Sequence, residues 1–232
     1  MSNIADNLKQ VRAQLADAAA GANREVNDVT LLAVSKTRPA EDLRAAYAEG
    51  QTDFGENYLQ ESLEKIEVLA DLPLCWHFIG PIQSNKTRPI AENFHWVHSV
   101  DREKIGRRLS EQRPDGMAPL NLCLQVNISG EASKSGCLPE DVPALAAALS
   151  ALPNVVVRGL MAIPQATEDE TEQRAVFARM KALLESLQQD YQQVDTLSMG
   201  MSGDMSAAIA EGSTMVRIGT AIFGARDYGR QA

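Results

Sequence analysis

The chain has 232 residues, 44% of them hydrophobic and 23% charged, with a formal net charge of −9. That length suits one large α/β domain or two small ones and needs no disulfide staples. The negative field opposes nucleic acid and anionic membrane surfaces, so any phosphate site must be built locally from backbone N–H groups and a few placed side chains.

The first ten residues lack a basic and an apolar leader segment, and no apolar run approaches a membrane span. A cytoplasmic protein with no membrane or nucleic-acid partner is the expectation. Ile4, Leu8, Val11 and Leu15 recur at helical spacing and predict an N-terminal helix ahead of the first strand. Residues 29–35, VTLLAVS, read as a strand buried on both faces. Further strand-like runs follow at 52–55, 74–80, 96–100, 120–128, 155–163, 196–201 and 215–223. The short runs TDFG and TLSMGM are weak in propensity and rest on their place in the alternation.

Helices fill the gaps. Pro39 opens one that ends before Gly50, with Pro near the start and Gly past the end. Others are predicted over 58–69, 86–93, 102–112, 139–149 and 171–189. In the last, Val176, Phe177, Met180, Leu183, Leu184 and Leu187 mark one apolar face. Eight strands alternating with helices predict an α/β fold, a single (β/α)8 TIM barrel over residues 1–232 with the extra N-terminal helix. A doubly wound open sheet is the alternative, although neither GxGxxG nor a P-loop occurs.

In such barrels the reactive groups lie at the C-terminal ends of the strands. The candidates are then Lys36, Glu56, Asn57, His77, Asn127, Lys134, Met161, Pro164, Ser202, Arg217, Gly219 and Thr220, the last three placed in strand eight. A lysine after five apolar residues can simply mark where a strand meets solvent. Its functional reading is a Schiff-base lysine, whose neutral amine a low-dielectric barrel mouth favours. Gly200, Ser202 and Gly203 precede a helix beginning near Asp204, and with Gly219 and Thr220 they read either as tight turns or as an anion cradle. His77, His95 and His98 have no metal spacing; His95 and His98 read as edge or surface residues, and His77 as a mouth or core residue. Glu61, Glu64 and Glu67 read as a solvated helix face. Cys75, Cys123 and Cys137 form no CxxC and read as reduced thiols.

The segments AVSKT (33–37), FGENYLQE (54–61), WHFIGPIQSNK (76–86), GLMAIP (159–164), LSMGMSGDM (197–205) and GSTMVRIGTAIFGAR (212–226) resemble the pyridoxal phosphate homeostasis protein family. The resemblance spans nearly the entire chain, in order. It implies a barrel similar to the alanine racemase N-terminal domain, with the vitamin B6 cofactor pyridoxal 5′-phosphate held as a Schiff base on Lys36. It further implies Ser202, Gly219 and Thr220 at the phosphate, Asn57 beside the cofactor and Arg217 facing the pyridine nitrogen. Lys134 lies in a loop where the family also carries a lysine.

An arginine there cannot accept a proton, so the ring nitrogen stays unprotonated and carbanion stabilisation is weak. The racemases also use a second domain and a tyrosine from a partner subunit. Tyr58 could approach the site, but one phenol does not make a two-face proton shuttle. A monomeric homeostasis protein that binds the cofactor and supplies it to apo enzymes is therefore favoured. The alternative is a pyridoxal phosphate-dependent amino-acid racemase or related barrel enzyme.

Overall fold

The computed structural model describes residues 3–225. The expected span of 1–232 and the last residue of the final matching segment, Arg226, reach outside those described residues. The strands β1 (Thr30–Val34), β2 (Asp53–Glu56), β3 (Cys75–Phe78), β4 (Trp96–Val100), β5 (Leu120–Gln125), β6 (Val155–Met161), β7 (Thr196–Ser198) and β8 (Met215–Ile218) pair in chain order, all parallel. The sheet closes where β1 meets β8, with Leu32 opposite Arg217. This is the (β/α)8 TIM barrel, and the open-sheet alternative falls.

The helices α1 (Ile4–Gly21), α2 (Ala40–Ala48), α3 (Leu59–Val68), α4 (Thr87–Asn93), α5 (Glu103–Gln112), α6 (Val142–Ser150), α7 (Glu170–Gln188), α8 (Met205–Ala210) and α9 (Thr220–Phe223), with three short 3-10 turns, complete the described elements. α7 shows why they form where they do. Asp169 caps it by accepting the Thr171 and Glu172 N–H groups, and acids in its first turn suit the positive end of the helix dipole. Phe177, Met180, Leu184 and Leu187 then recur on one buried face, each burial contributing about 1.5–3 kcal/mol. A charge at Met180 would break that face. α1 buries Ile4, Leu8, Val11, Leu15 and Ala19 on the outside of the barrel against α2, α8 and α9. The Asn7 amide ties it there by donating to the Ile222 carbonyl, 2.9 Å.

Strand ends fall short of the apolar runs. β7 stops at Ser198, and the run 215–223 divides into β8, Gly219 as a helix cap, and α9. Gly219 and Thr220 therefore leave the strand they were expected to belong to. Apolar residues continue through α9 because Ile222 and Phe223 pack into the core as a helical turn. A short apolar run does not distinguish that from a strand.

Candidate functional site

The chain segments leaving the strands gather at one mouth of the barrel. Lys36, Asn57, Ser202, Arg217, Gly219 and Thr220 all line one cavity of about 450 Å³, together with Val34, Arg38, Ile79, Ile163, Met201 and Gly203. Among the described residues its charged lining residues are Lys36, Arg38 and Arg217, and none of the lining side chains is acidic. In a chain of net charge −9 this is a locally inverted field. Arg38, whose guanidinium donates to the Gly224 carbonyl, had no signal in the sequence beyond its nearness to Lys36.

Lys36 stands between two gripped residues. The Ser35 N–H donates to the Gly55 carbonyl at 3.0 Å, and the Ser35 hydroxyl donates to Glu56 Oε1 at 2.7 Å. The Lys65 ammonium, itself buried, donates to the Ser35 carbonyl, to Glu56 Oε1 and to Glu61 Oε1. Glu61 also accepts the Thr37 N–H, holding that residue at a φ of +64°. Glu61 was expected on a solvated face; it is half-buried, turned toward β1 by Lys65 one helical turn away. Glu56 lies inside β2 with no exposed surface. Burial pushes its carboxyl above the ordinary range, outweighing the pull of Lys65.

Asn57 follows β2, and its backbone presses on Gly80, where a Cβ would lie 2.3 Å from the Asn57 carbonyl oxygen. Only glycine permits that approach. The Asn57 side-chain oxygen is buried and has no hydrogen-bond partner among the described residues. Across the mouth, Gly200 turns the chain at φ +103° after β7. Asp204 Oδ1 accepts the Met201 N–H at 2.6 Å and pins the turn that presents Ser202 and Gly203. Thr220 opens α9, and the first N–H groups of a helical turn have no partner within it.

Arg217 forms the floor. It is buried, donating from Nη1 to Ser198 Oγ at 2.7 Å and from Nη2 to the Ala162 carbonyl at 2.9 Å. Burial pushes its pKa down to about 10, which leaves it a cation at neutral pH. Behind it the barrel interior is polar. His98, expected at an edge or surface, is wholly buried on β4, with Nδ1 2.7 Å from Ser198 Oγ and Nε2 2.9 Å from His77 Nδ1. His77 is a hydrogen-bonded core residue, its Nε2 2.8 Å from Asp53 Oδ1. His95 is exposed, and its Nδ1 accepts the Trp76 N–H. At the far mouth Asp53, Cys75 and His77 bring three donor atoms within 4.8 Å of one another. Burial pushes the Cys75 thiol up to about 12, so it stays protonated.

Other candidates stand apart from the cavity lining. Lys134 pairs with Glu131 at 2.7 Å and reaches the Ile163 carbonyl at 3.5 Å, on the rim. Asn127 donates to the Glu131 carbonyl, Met161 is buried, and Pro164 lines a neighbouring recess of about 1080 Å³ that extends toward α1. Tyr58 is 50% exposed and does not line the cavity.

Comparison with known proteins bears on this site. The family described as alanine racemase, N-terminal domain, matches residues 2–227. The pyridoxal phosphate homeostasis protein of Pseudomonas aeruginosa is 65% identical over 232 residues, covering all of both chains. That of Escherichia coli K12 is 50% identical over 234 residues, again over all of both. PipY of Synechococcus elongatus, solved with PLP bound, superposes with a TM-score of 0.82 at 40% identity, covering 96% of this chain and 100% of its own. Alanine racemase of Corynebacterium glutamicum, at 17% identity and a TM-score of 0.71, shares the fold over 99% of this chain and 63% of its own.

Proposed function

The chain belongs to the alanine racemase N-terminal domain family and, within it, to the pyridoxal phosphate homeostasis proteins, and from that premise we propose that it binds pyridoxal 5′-phosphate as a Schiff base on Lys36. The observation that carries this reading is the shared cavity. The Lys36 amine, two hydroxyls, the first turn of α9 and two guanidinium groups converge there, with no carboxylate among the described residues. Its 450 Å³ falls in the range of about 300–1,000 Å³ usual for small-molecule sites.

The residues fit the group. A bound pyridoxal phosphate supplies an aldehyde that condenses reversibly with amines, a ring nitrogen and a phosphate dianion. Lys36 is the amine. Ser202 and Thr220 offer hydroxyls to the phosphate, with the backbone at Gly219 and Thr220 beside them. Gly219 packs closely on β1, where a Cβ would meet the Val34 carbonyl oxygen at 3.2 Å. Asn57 presents an unpartnered amide edge beside the ring. Arg217 takes the ring nitrogen as an N–H donor and keeps it unprotonated. Arg38 adds charge at the rim.

Held this way, a reactive aldehyde is kept from free amines and passed on by exchange. The protein is a cytoplasmic monomer that supplies the cofactor to apo enzymes. The racemase reading lacks a second acid/base, because no tyrosine or carboxylate lines the cavity among the described residues. The test is borohydride reduction of the loaded protein followed by peptide mapping. The adduct is expected on Lys36 and absent in Lys36→Ala. A main adduct on any other lysine overturns the assignment.

A further inference from the structure

TIM-barrel interiors are ordinarily filled by layers of branched apolar side chains. Here a line of polar groups runs through the barrel, from Arg217 at the cavity to Asp53 at the start of β2, by the opposite mouth. Its links are Arg217 Nη1 to Ser198 Oγ, 2.7 Å; Ser198 Oγ to His98 Nδ1, 2.7 Å; His98 Nε2 to His77 Nδ1, 2.9 Å; and His77 Nε2 to Asp53 Oδ1, 2.8 Å. β4 and β7 are not neighbours in the sheet, so the His98–Ser198 bond crosses the interior.

The two ends fix every proton between them. Arginine can only donate, so Ser198 Oγ accepts from it. A hydroxyl has two lone pairs, so the remaining bonds take their direction from the Asp53 end. There the carboxylate only accepts and, with both rings neutral, His98 Nδ1 is left to accept the Ser198 proton. His98 must then carry its proton on Nε2 and give it to His77 Nδ1. His77 in turn carries its proton on Nε2 and gives it to the Asp53 carboxylate. All four bonds point the same way, from cation to anion, and each polarises the next. A proton added to His98 would turn the Ser198 hydroxyl away from it, and one added to His77 would force His98 into the other tautomer, so either would reverse part of the chain. Burial supports the neutral state of both: it holds His77 below its ordinary pKa and His98 well below it, where His77 and Arg217 push the same way.

We propose that Ser198, His98 and His77 are positioning residues for Arg217, a one-way hydrogen-bond chain anchored on Asp53 that fixes the guanidinium plane against the ring nitrogen of the bound cofactor. A guanidinium held only by the Ala162 carbonyl could swing about that single contact. Ser198 supplies the second point, and the histidines fix which way the Ser198 hydroxyl faces. The proposal rests on the pyridoxal phosphate reading of the cavity, but its first test does not.

That first test is nitrogen NMR of histidine-labelled protein at neutral pH, before and after loading with pyridoxal phosphate. His77 and His98 should both be neutral with the proton on Nε2. A ring protonated on Nδ1, or on both nitrogens, overturns the chain. The second test is the absorption spectrum of the loaded protein. Ser198→Ala and His98→Leu should shift the bound-cofactor band in the same direction as Arg217→Met, and weaken binding about tenfold. Ser198→Thr and His98→Asn, which keep an acceptor in place, should restore the native band. A band that moves in Arg217→Met yet stays in both Ser198→Ala and His98→Leu sinks the positioning role. A band that stays in Arg217→Met as well removes Arg217 from the ring nitrogen, and the proposal falls with that reading.

Discussion

Lys65 Nζ lies 2.7 Å from Glu56 Oε1, with both side chains buried, and gives a second hydrogen bond of 2.7 Å to the Ser35 carbonyl just before Lys36. An ion pair out of water is a poor source of net stability, yet removing one partner strands the other. The pair earns its place by geometry: it fixes the peptide that carries Lys36.

Lys65→Met should therefore cost about 3–5 kcal/mol in chemical denaturation, because it leaves the Glu56 site without its cation. Lys65→Met combined with Glu56→Gln should recover much of that loss. The double variant should still capture pyridoxal phosphate more slowly than the native chain, since the Ser35 carbonyl stays ungripped. A single-variant loss below about 1 kcal/mol, the usual worth of a surface pair, would mean the clamp is not sealed.

Much of this site is legible in the sequence, for reasons that name its limits. Lys36, Asn57, Ser202 and Arg217 are readable because a parallel barrel sends chemistry to the C-terminal side of its strands, and eight strand-like runs locate the strands to within a few residues. Thr220 is found, but in the wrong element, since an apolar run of nine residues hides a turn at Gly219. His98 and Glu61 are misread for different causes. Polarity alone assigns them to solvent, and the groups that satisfy them, Ser198 and Lys65, are a hundred residues away in one case and one helical turn in the other. The distant partner of His98 leaves no local mark on the chain, whereas the Glu61–Lys65 spacing is visible and only its burial against Ser35 and Glu56 is not.

Stability should respond to pH with two opposing slopes. Burial raises the Glu56 carboxyl above its ordinary 4.5, so its contribution is full below that value and is lost as pH rises through the raised one. His98 is held well below its ordinary 6.5, so its contribution is present above 6.5 and is lost as pH falls toward the depressed value. Denaturation midpoints across pH should show the first slope removed in Glu56→Gln and the second removed in His98→Asn. Either variant keeping the native slope would reassign that slope to another group.

The anion cradle should discriminate by phosphate. Ser202→Ala and Thr220→Val should each weaken pyridoxal phosphate binding about tenfold, the worth of one hydrogen bond to a charged group, and leave unphosphorylated pyridoxal little changed. Titration of both ligands against each variant measures this. Equal weakening of the two ligands would place these residues at the aldehyde end or in the fold.

The sharpest division is between carrier and catalyst, and it turns on Arg217 and on what the cavity lacks. With its pKa at about 10, Arg217 stays a cation and cannot protonate a ring nitrogen. Among the described residues the lining offers Lys36 on one side and neither a tyrosine nor a carboxylate on another, and Tyr58 stands half exposed outside it. A missing general acid forfeits typically 10²–10⁴-fold of rate. L-alanine incubated in deuterium oxide with the loaded protein should thus exchange its α-proton within about tenfold of the rate with free cofactor. The same loaded protein mixed with an apo enzyme that needs pyridoxal phosphate should restore that enzyme's activity. Fast and complete racemisation of a common amino acid, lost in Lys36→Ala, would make this barrel a catalyst in its own right and leave Arg217 needing another explanation.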